Sequence, residues 1–316
     1  MNMRGIKKSR IKSTDRHTTT IFFVLFSFFT VFSFGVSAQN QLSYNQFSSF
    51  GKSSNTVYSL ANGGSSLDLV GRYQWVGLDG APKSYWMNGH FALQKIRAAV
   101  GLDVKSHKIG VETNHEVTAY FAKGVRISES EFLGLSMGFG VAQLNGDFST
   151  LDPEDVAFAS DVSEFRPTFN IATAIYSPDR YFVGISIPKM VFGQRSPQQA
   201  MYRQLSLERV YNVMSVAAFH LGQDFYVKPS ALVTYSPVLP LQIDVSALIF
   251  AKQKFGLGIG YRSLNFLAGQ AAFHLGNIKV GYAYQFGVGD KPTRRIMNNA
   301  THEIGFSYSI NNQGLL

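Results

Sequence analysis

The sequence contains no cysteine and only two tryptophans in 316 residues, and Asp, Glu, Lys and Arg together make up 16% of it. Without cysteine there is no disulfide framework, thiolate metal site, cysteine nucleophile or lipidated N-terminal cysteine. Such sparse charge is low for an ordinary cytosolic enzyme. The 45% hydrophobic and 14% aromatic content is in turn too rich for a disordered chain. Beyond residue 38 no helical stretch stands out either. What remains is an aromatic, glycine-rich chain whose fold has to come from strands.

Residues 1–38 read as an export signal. Arg4, Lys7, Lys8, Arg10, Lys12 and Arg16 form a basic region, Ile21 to Phe34 an apolar one, and Val36-Ser37-Ala38 a small-residue cleavage site. The apolar run is shorter than the roughly 20 residues a membrane-spanning helix needs, which favours removal over anchoring. The leader carries six basic residues against Asp15, so +5 of the formal +9 leaves with it. The remaining Lys and Arg are scattered rather than striped, and nucleic acid is not an expected partner.

From Gln39 onward the pattern has period two. Leu133, Leu135, Met137, Phe139 and Val141 alternate with Gly134, Ser136, Gly138, Gly140 and Ala142. Tyr85, Met87, Phe91 and Leu93 alternate with Ser84, Trp86, Asn88, His90 and Gln94. The same alternation runs through Tyr181–Ile187, Leu241–Ile249 and Ile278–Phe286. Such runs have the length of a tilted membrane-spanning strand, about nine to eleven residues. Short links are expected at 95–97, 128–131, 177–180, 222–224, 252–254 and 276–277, and longer ones at 105–115, 145–164, 188–208 and 288–301. Short periplasmic turns alternating with long outer loops predict an all-β, transmembrane antiparallel up-and-down β-barrel of about 14 strands in the outer membrane, surrounded by its lipids. A soluble β-sandwich would not require that asymmetry. The expected organisation is a signal peptide at 1–38, an N-terminal periplasmic segment at 39–66 and the barrel at 67–316. Trp86, Asn88, His90, Gln94, Arg166, Asn170, Gln242 and Asp244 should face the lumen. Lys123, on an apolar face, should sit near the interface, where a charge costs little.

Several enzyme-like patterns fail on context. Gly134-Leu135-Ser136-Met137-Gly138 matches G-x-S-x-G, but its serine lies in mid-strand and not on a strained strand-to-helix turn. His115-Glu116 and His302-Glu303 are followed at the fifth position by Ala119 and Phe306, so neither completes a zinc-binding H-E-x-x-H. Gly256, Gly258 and Gly260 mark small positions on one face rather than a phosphate cradle. Asp152, Glu154 and Asp155 lack the order of a calcium loop. No catalytic residue, cofactor or metal is expected.

Arg72-Tyr73-Gln74-Trp75, then Asp79-Gly80-Ala81-Pro82, then an alternating strand resembles the PorP/SprF family of type IX secretion system membrane proteins of the Bacteroidetes. "AVGLDVKSHKIGVETNHEVTAYFAKGVRIS", "FRPTFNIATAIYSPDRYFVGISIPKM", "VKPSALVTY", "VGYAYQF" and "THEIGFSYS" extend the likeness over most of the chain. The segment 57–64 and Gln285, where the family usually has Asp, depart from it. The resemblance implies a non-enzymatic outer-membrane part of a secretion and gliding machine. Its implied partners are a periplasmic peptidoglycan-associated lipoprotein and secreted, adhesin-like cargo. The first outer loop, with Gln74, Trp75, Asp79, Gly80, Ala81 and Pro82, is the candidate partner interface: an interfacial aromatic beside a stiff turn. A passive porin or hydrophobic-solute transporter is the competing function.

Overall fold

The computed structural model describes residues 43–151, 161–192, 209–237, 239–263, 265–288, 300–310 and 316. Its strands are β1 (Ser65–Tyr73), β2 (Lys83–Leu93), β3 (Ala98–Ile109), β4 (Glu112–Arg126), β5 (Phe132–Gly146), β6 (Val162–Ser177), β7 (Tyr181–Val191), β8 (Tyr211–Ala217), β9 (Phe219–Leu221), β10 (Phe225–Ser236), β11 (Leu239–Ala251), β12 (Phe255–Arg262), β13 (Phe266–Leu275), β14 (Ile278–Gly287) and β15 (Thr301–Ile310). β8 and β9 both pair with β10 and are two pieces of one stave, interrupted where Ala218 N–H turns to the Arg180 carbonyl at 2.8 Å. Sequential antiparallel pairing runs around the sheet, and β1 meets β15 in register from Ser65↔Ile310 to Tyr73↔His302. The result is a closed barrel of 14 antiparallel staves. Closure leaves no sheet edge, which is the condition for strands to cross hydrocarbon. Among the described residues no helix is long and apolar enough to do so.

The period-two reading assigns the faces correctly. Leu135, Met137, Phe139, Val183, Ile185, Ile243, Val280 and Tyr282 point outward, while Ser136, Asn88, Asn170, Gln242 and Asp244 are buried inside. Leu257 and Ile259 are 71% and 73% exposed, side by side in β12; a continuous apolar belt of this kind suits lipid and not water. Tyr73, Tyr85, Tyr211, Tyr235, Tyr261 and Tyr284 ring one end of the outer face, and Phe91, Phe219, Phe225, Phe255 and Phe273 the other, as interfacial girdles do. Lys123 lies on this face near the second girdle, its ammonium donating to the Ile96 carbonyl in the adjacent turn.

The turns at one end are tight, as expected: 94–97, 127–131, 178–180, 222–224, 252–254 and 276–277. The other end departs from expectation. Residues 105–115 are not a long loop: Lys105↔Glu116, Ser106↔His115, His107↔Asn114 and Lys108↔Thr113 continue the ladder to a turn at 110–111. β4 and β5 have 15 residues and β6 has 16, more than a bilayer needs, so this wall projects beyond the membrane. There both faces meet water, the apolar alternation ends, and a polar strand looks like a loop in sequence. Gln94 is likewise in a turn and exposed, and does not line the lumen; its amide donates to the Gly63 carbonyl at 3.1 Å.

Candidate functional site

The lumen is not an empty polar channel. Residues 43–62, within the stretch anticipated as a periplasmic segment at 39–66, lie inside the barrel and are almost entirely buried, and Ser65 and Ser66 already belong to β1. This internal plug is a turn at 45–49 followed by short 3-10 helices at Gly51–Ser53 and Thr56–Leu60. Asn55 caps the second helix. Its side-chain oxygen accepts from Val57 N–H at 3.0 Å, while its amide donates to the carbonyls of Ile185 at 3.2 Å and Thr173 at 3.4 Å in the wall.

Near the short turns the plug is held by packing. Val57, Tyr58 and Leu60 join Phe47, Tyr176, Phe182, Met214, Leu232 and Leu316 in one buried cluster, against small inward residues Ala99, Ala122, Ala172 and Ala174. Tyr58 meets Phe182 edge-on at 5.0 Å. Alanine and glycine at these lumen positions make room for the plug's large side chains: a side chain at Gly134 would collide with Val57, and one at Gly305 with Phe50. The G-x-S-x-G pattern is therefore a packing surface. Ser136 is buried and its hydroxyl accepts from Thr56 at 2.8 Å, which is no arrangement for a nucleophile.

Towards the opposite end the plug is held by charge. The buried Glu303 carboxylate accepts from the backbone N–H groups of Asn45 at 2.8 Å and Gln46 at 2.9 Å, with the Arg72 guanidinium 4.0 Å away. Arg72 and Arg262 both donate to the Ser43 carbonyl; Arg262 also pairs with Asp244 at 2.5 Å, and both arginines share Gln285 Oε1. Gln285 is thus a neutral acceptor between two arginines. Burial, with Glu303 and Asp103 nearby, pushes the Tyr44 phenol up, so it stays neutral against Trp86. Trp86 in turn donates to Asp103 at 2.7 Å and meets Phe50 edge-on at 6.4 Å. Between the two ends, Lys52 pairs with Asp68 and donates to Ser66 at 2.6 Å. His90 Nε2 lies 2.7 Å from the Gly64 carbonyl and must carry the proton, which leaves Nδ1 as an acceptor facing Lys52.

The predicted interface residues form the rim loop at 74–82. Gln74 N–H donates to the Pro82 carbonyl at 3.0 Å and closes its base. Two successive turns, closed by Leu78 N–H to Trp75 O at 3.0 Å and Ala81 N–H to Leu78 O at 3.2 Å, place Gly77 and Gly80 at φ +98° and +72°, where glycine avoids a steric cost. Trp75 itself is left-handed at φ 49°. Gly110 N–H donates to the Gly80 carbonyl at 2.8 Å and Val76 N–H to that of Ala300 at 3.2 Å, so both neighbouring strand pairs brace the loop. Pro82 is buried, Trp75 and Ala81 are half-buried, and Val76, Leu78 and Asp79 stand exposed. The structure thus places these loop residues together at the rim. Among the described residues no cluster could hold a metal, and Asp152, Glu154 and Asp155 lie outside them.

Sequence reasoning missed Glu303, Arg72, Lys52 and Asp68 as lumen anchors. The available signal was a charge at an inward phase, as in Leu67-Asp68-Leu69, but phase alone does not reveal a partner.

The barrel is similar in fold to outer-membrane proteins of known structure. Omp33 of Acinetobacter baumannii shares 8% identity with a TM-score of 0.47, over 79% of this chain and 99% of that one. The CymD monoaromatic hydrocarbon channel shares 10% with a TM-score of 0.49, over 89% and 96%. The toluene transporter TodX of Pseudomonas putida shares 10% with a TM-score of 0.44, over 88% and 96%. No curated protein matches the chain. The family model for the type IX secretion system membrane protein PorP/SprF matches residues 36–308. With that match over most of its length and a closed, lipid-facing barrel to go with it, the chain belongs to the PorP/SprF family and is an outer-membrane component of type IX secretion.

Proposed function

We propose that this barrel acts as a closed docking component of the secretion machinery, presenting its outer rim to specific adhesin-like cargo and its short turns to a periplasmic peptidoglycan-associated lipoprotein. The observation that carries the reading is the plug: segment 43–62 lies within the lumen and is bonded to the wall at both ends. A passive porin or hydrophobic-solute transporter needs a continuous path, whereas a docking part needs shaped surfaces, and the braced 74–82 loop is one. Val76 and Leu78 are 52% and 43% exposed on a loop that does not have to be ordered on binding, which lowers the entropic cost of association.

The test has two arms. In planar bilayers the purified barrel should show no steady conductance. In cells, Trp75→Ala with Asp79→Ala should block release or display of one surface protein while the barrel still assembles, and crosslinking should recover a lipoprotein with the wild type. Open-channel conductance from the intact protein, together with normal secretion by the double variant, would overturn the reading.

A further inference from the structure

Val57 and Leu60 of the plug lean on β4 and β5. Across the lumen from them, β10, β13 and β14 turn the basic side chains Lys228, His274 and Lys279 inward near the short turns. Lys228 is 2% exposed and forms no hydrogen bond or ion pair with any described residue. The charge that acts on it is another cation, Lys279. His274 is the cross-strand neighbour of Lys279, and its Nε2 is buried without a partner. Among the described residues the carboxylate that acts on Lys279 is Asp68, which is already engaged by Lys52 and Ser66. Phe250, 5.1 Å from the His274 ring and stacked on Tyr226 at 4.6 Å, walls the group with carbon rather than acceptors.

An ammonium taken out of water without a counter-charge costs several kcal/mol, and a second cation beside it adds to that cost. Donors turned inward from three strands match an acceptor with oxygens on several sides, which a tetrahedral oxyanion has and a planar carboxylate lacks. We propose that Lys228, Lys279 and His274 form a binding site for a single phosphate group, free or carried by a lipid head, seated just inside the short-turn mouth of the barrel. The phosphate accepts from both ammonium groups and shares a proton with the imidazole. Lys279, half-buried and adjacent to the 276–277 turn, gives access from that end.

The experiment uses the processed full-length protein extracted in mild detergent. Inorganic phosphate is titrated while thermal unfolding is followed by the gel shift between folded and unfolded barrel, and native mass spectrometry reads any retained phospholipid. Bound ligand stabilises the state it binds, so wild type should gain several degrees with phosphate or carry about one phospholipid per barrel. The first outcome identifies the free ion and the second the lipid head. Either response should fall by about tenfold or more in Lys228→Met and Lys279→Gln and persist in Lys254→Gln, a turn residue. Should Lys228→Met fail to fold, Lys279→Gln, altered at a half-exposed position, carries the comparison. Absence of both ligands from folded wild type, or uptake that the two site variants share equally with wild type, overturns the proposal.

Discussion

Glu303 is a single carboxylate from the last described strand that receives two backbone N–H groups of the plug's first turn, so its removal should be felt across the lumen. Glu303→Gln keeps the shape but removes the charge facing Arg72, and the loss should be about 2 kcal/mol. It is measured as a lower urea midpoint for the folded-barrel gel band and as earlier protease cleavage within 43–62. Gly134→Leu should displace Val57 and expose the same segment to protease without removing any charge. Ser136→Ala should cost about 1 kcal/mol through the lost Thr56 bond; an ester-hydrolysis activity that disappeared with it would instead make Ser136 of the G-x-S-x-G pattern a nucleophile. None of these roles was legible beforehand. Sequence phase puts Ser136 and Gly134 inside and marks Glu303 as polar, but what occupies the space beyond an inward side chain comes from elsewhere in the chain.

The elements differ in how openly they announce themselves. A strand in hydrocarbon must alternate because its two faces meet different solvents, so Leu135–Val141 and Leu241–Ile249 are readable residue by residue. Where β3 and β4 rise above the membrane that constraint ends, and Lys105–His115 reads as loop although it is ladder. The 74–82 loop was recognisable by its Asp-Gly and Pro. Its brace to Gly110 was not, since it depends on β3 and β4 ending level with it. Gly80→Ala tests the brace: a Cβ there would lie 3.3 Å from Gly110 Cα at an unfavourable φ. The expected loss is about 1 kcal/mol locally, seen as faster amide exchange at Gly110 with the barrel's unfolding midpoint almost unchanged.

At the scale of the whole molecule, plug and wall are separable in principle, because the wall's backbone pairing is complete without the plug. Deleting 43–62 should therefore yield a barrel that still inserts but conducts ions in planar bilayers, where the intact protein does not. The plug escaped sequence reading because its serine-, asparagine- and aromatic-rich stretch has no period of its own, and its main contact spans 258 residues of sequence. The same span bears on biogenesis. Glu303 lies on the stave that seals the cylinder against β1, so the plug's electrostatic seat comes into being only when the two ends of the sheet meet. An unfinished barrel has an open bore and lacks the Glu303 grip on the plug's first turn. A seated plug is therefore a built-in certificate of completed assembly, one a machine recruiting this subunit could read by the fixed shape of its mouth.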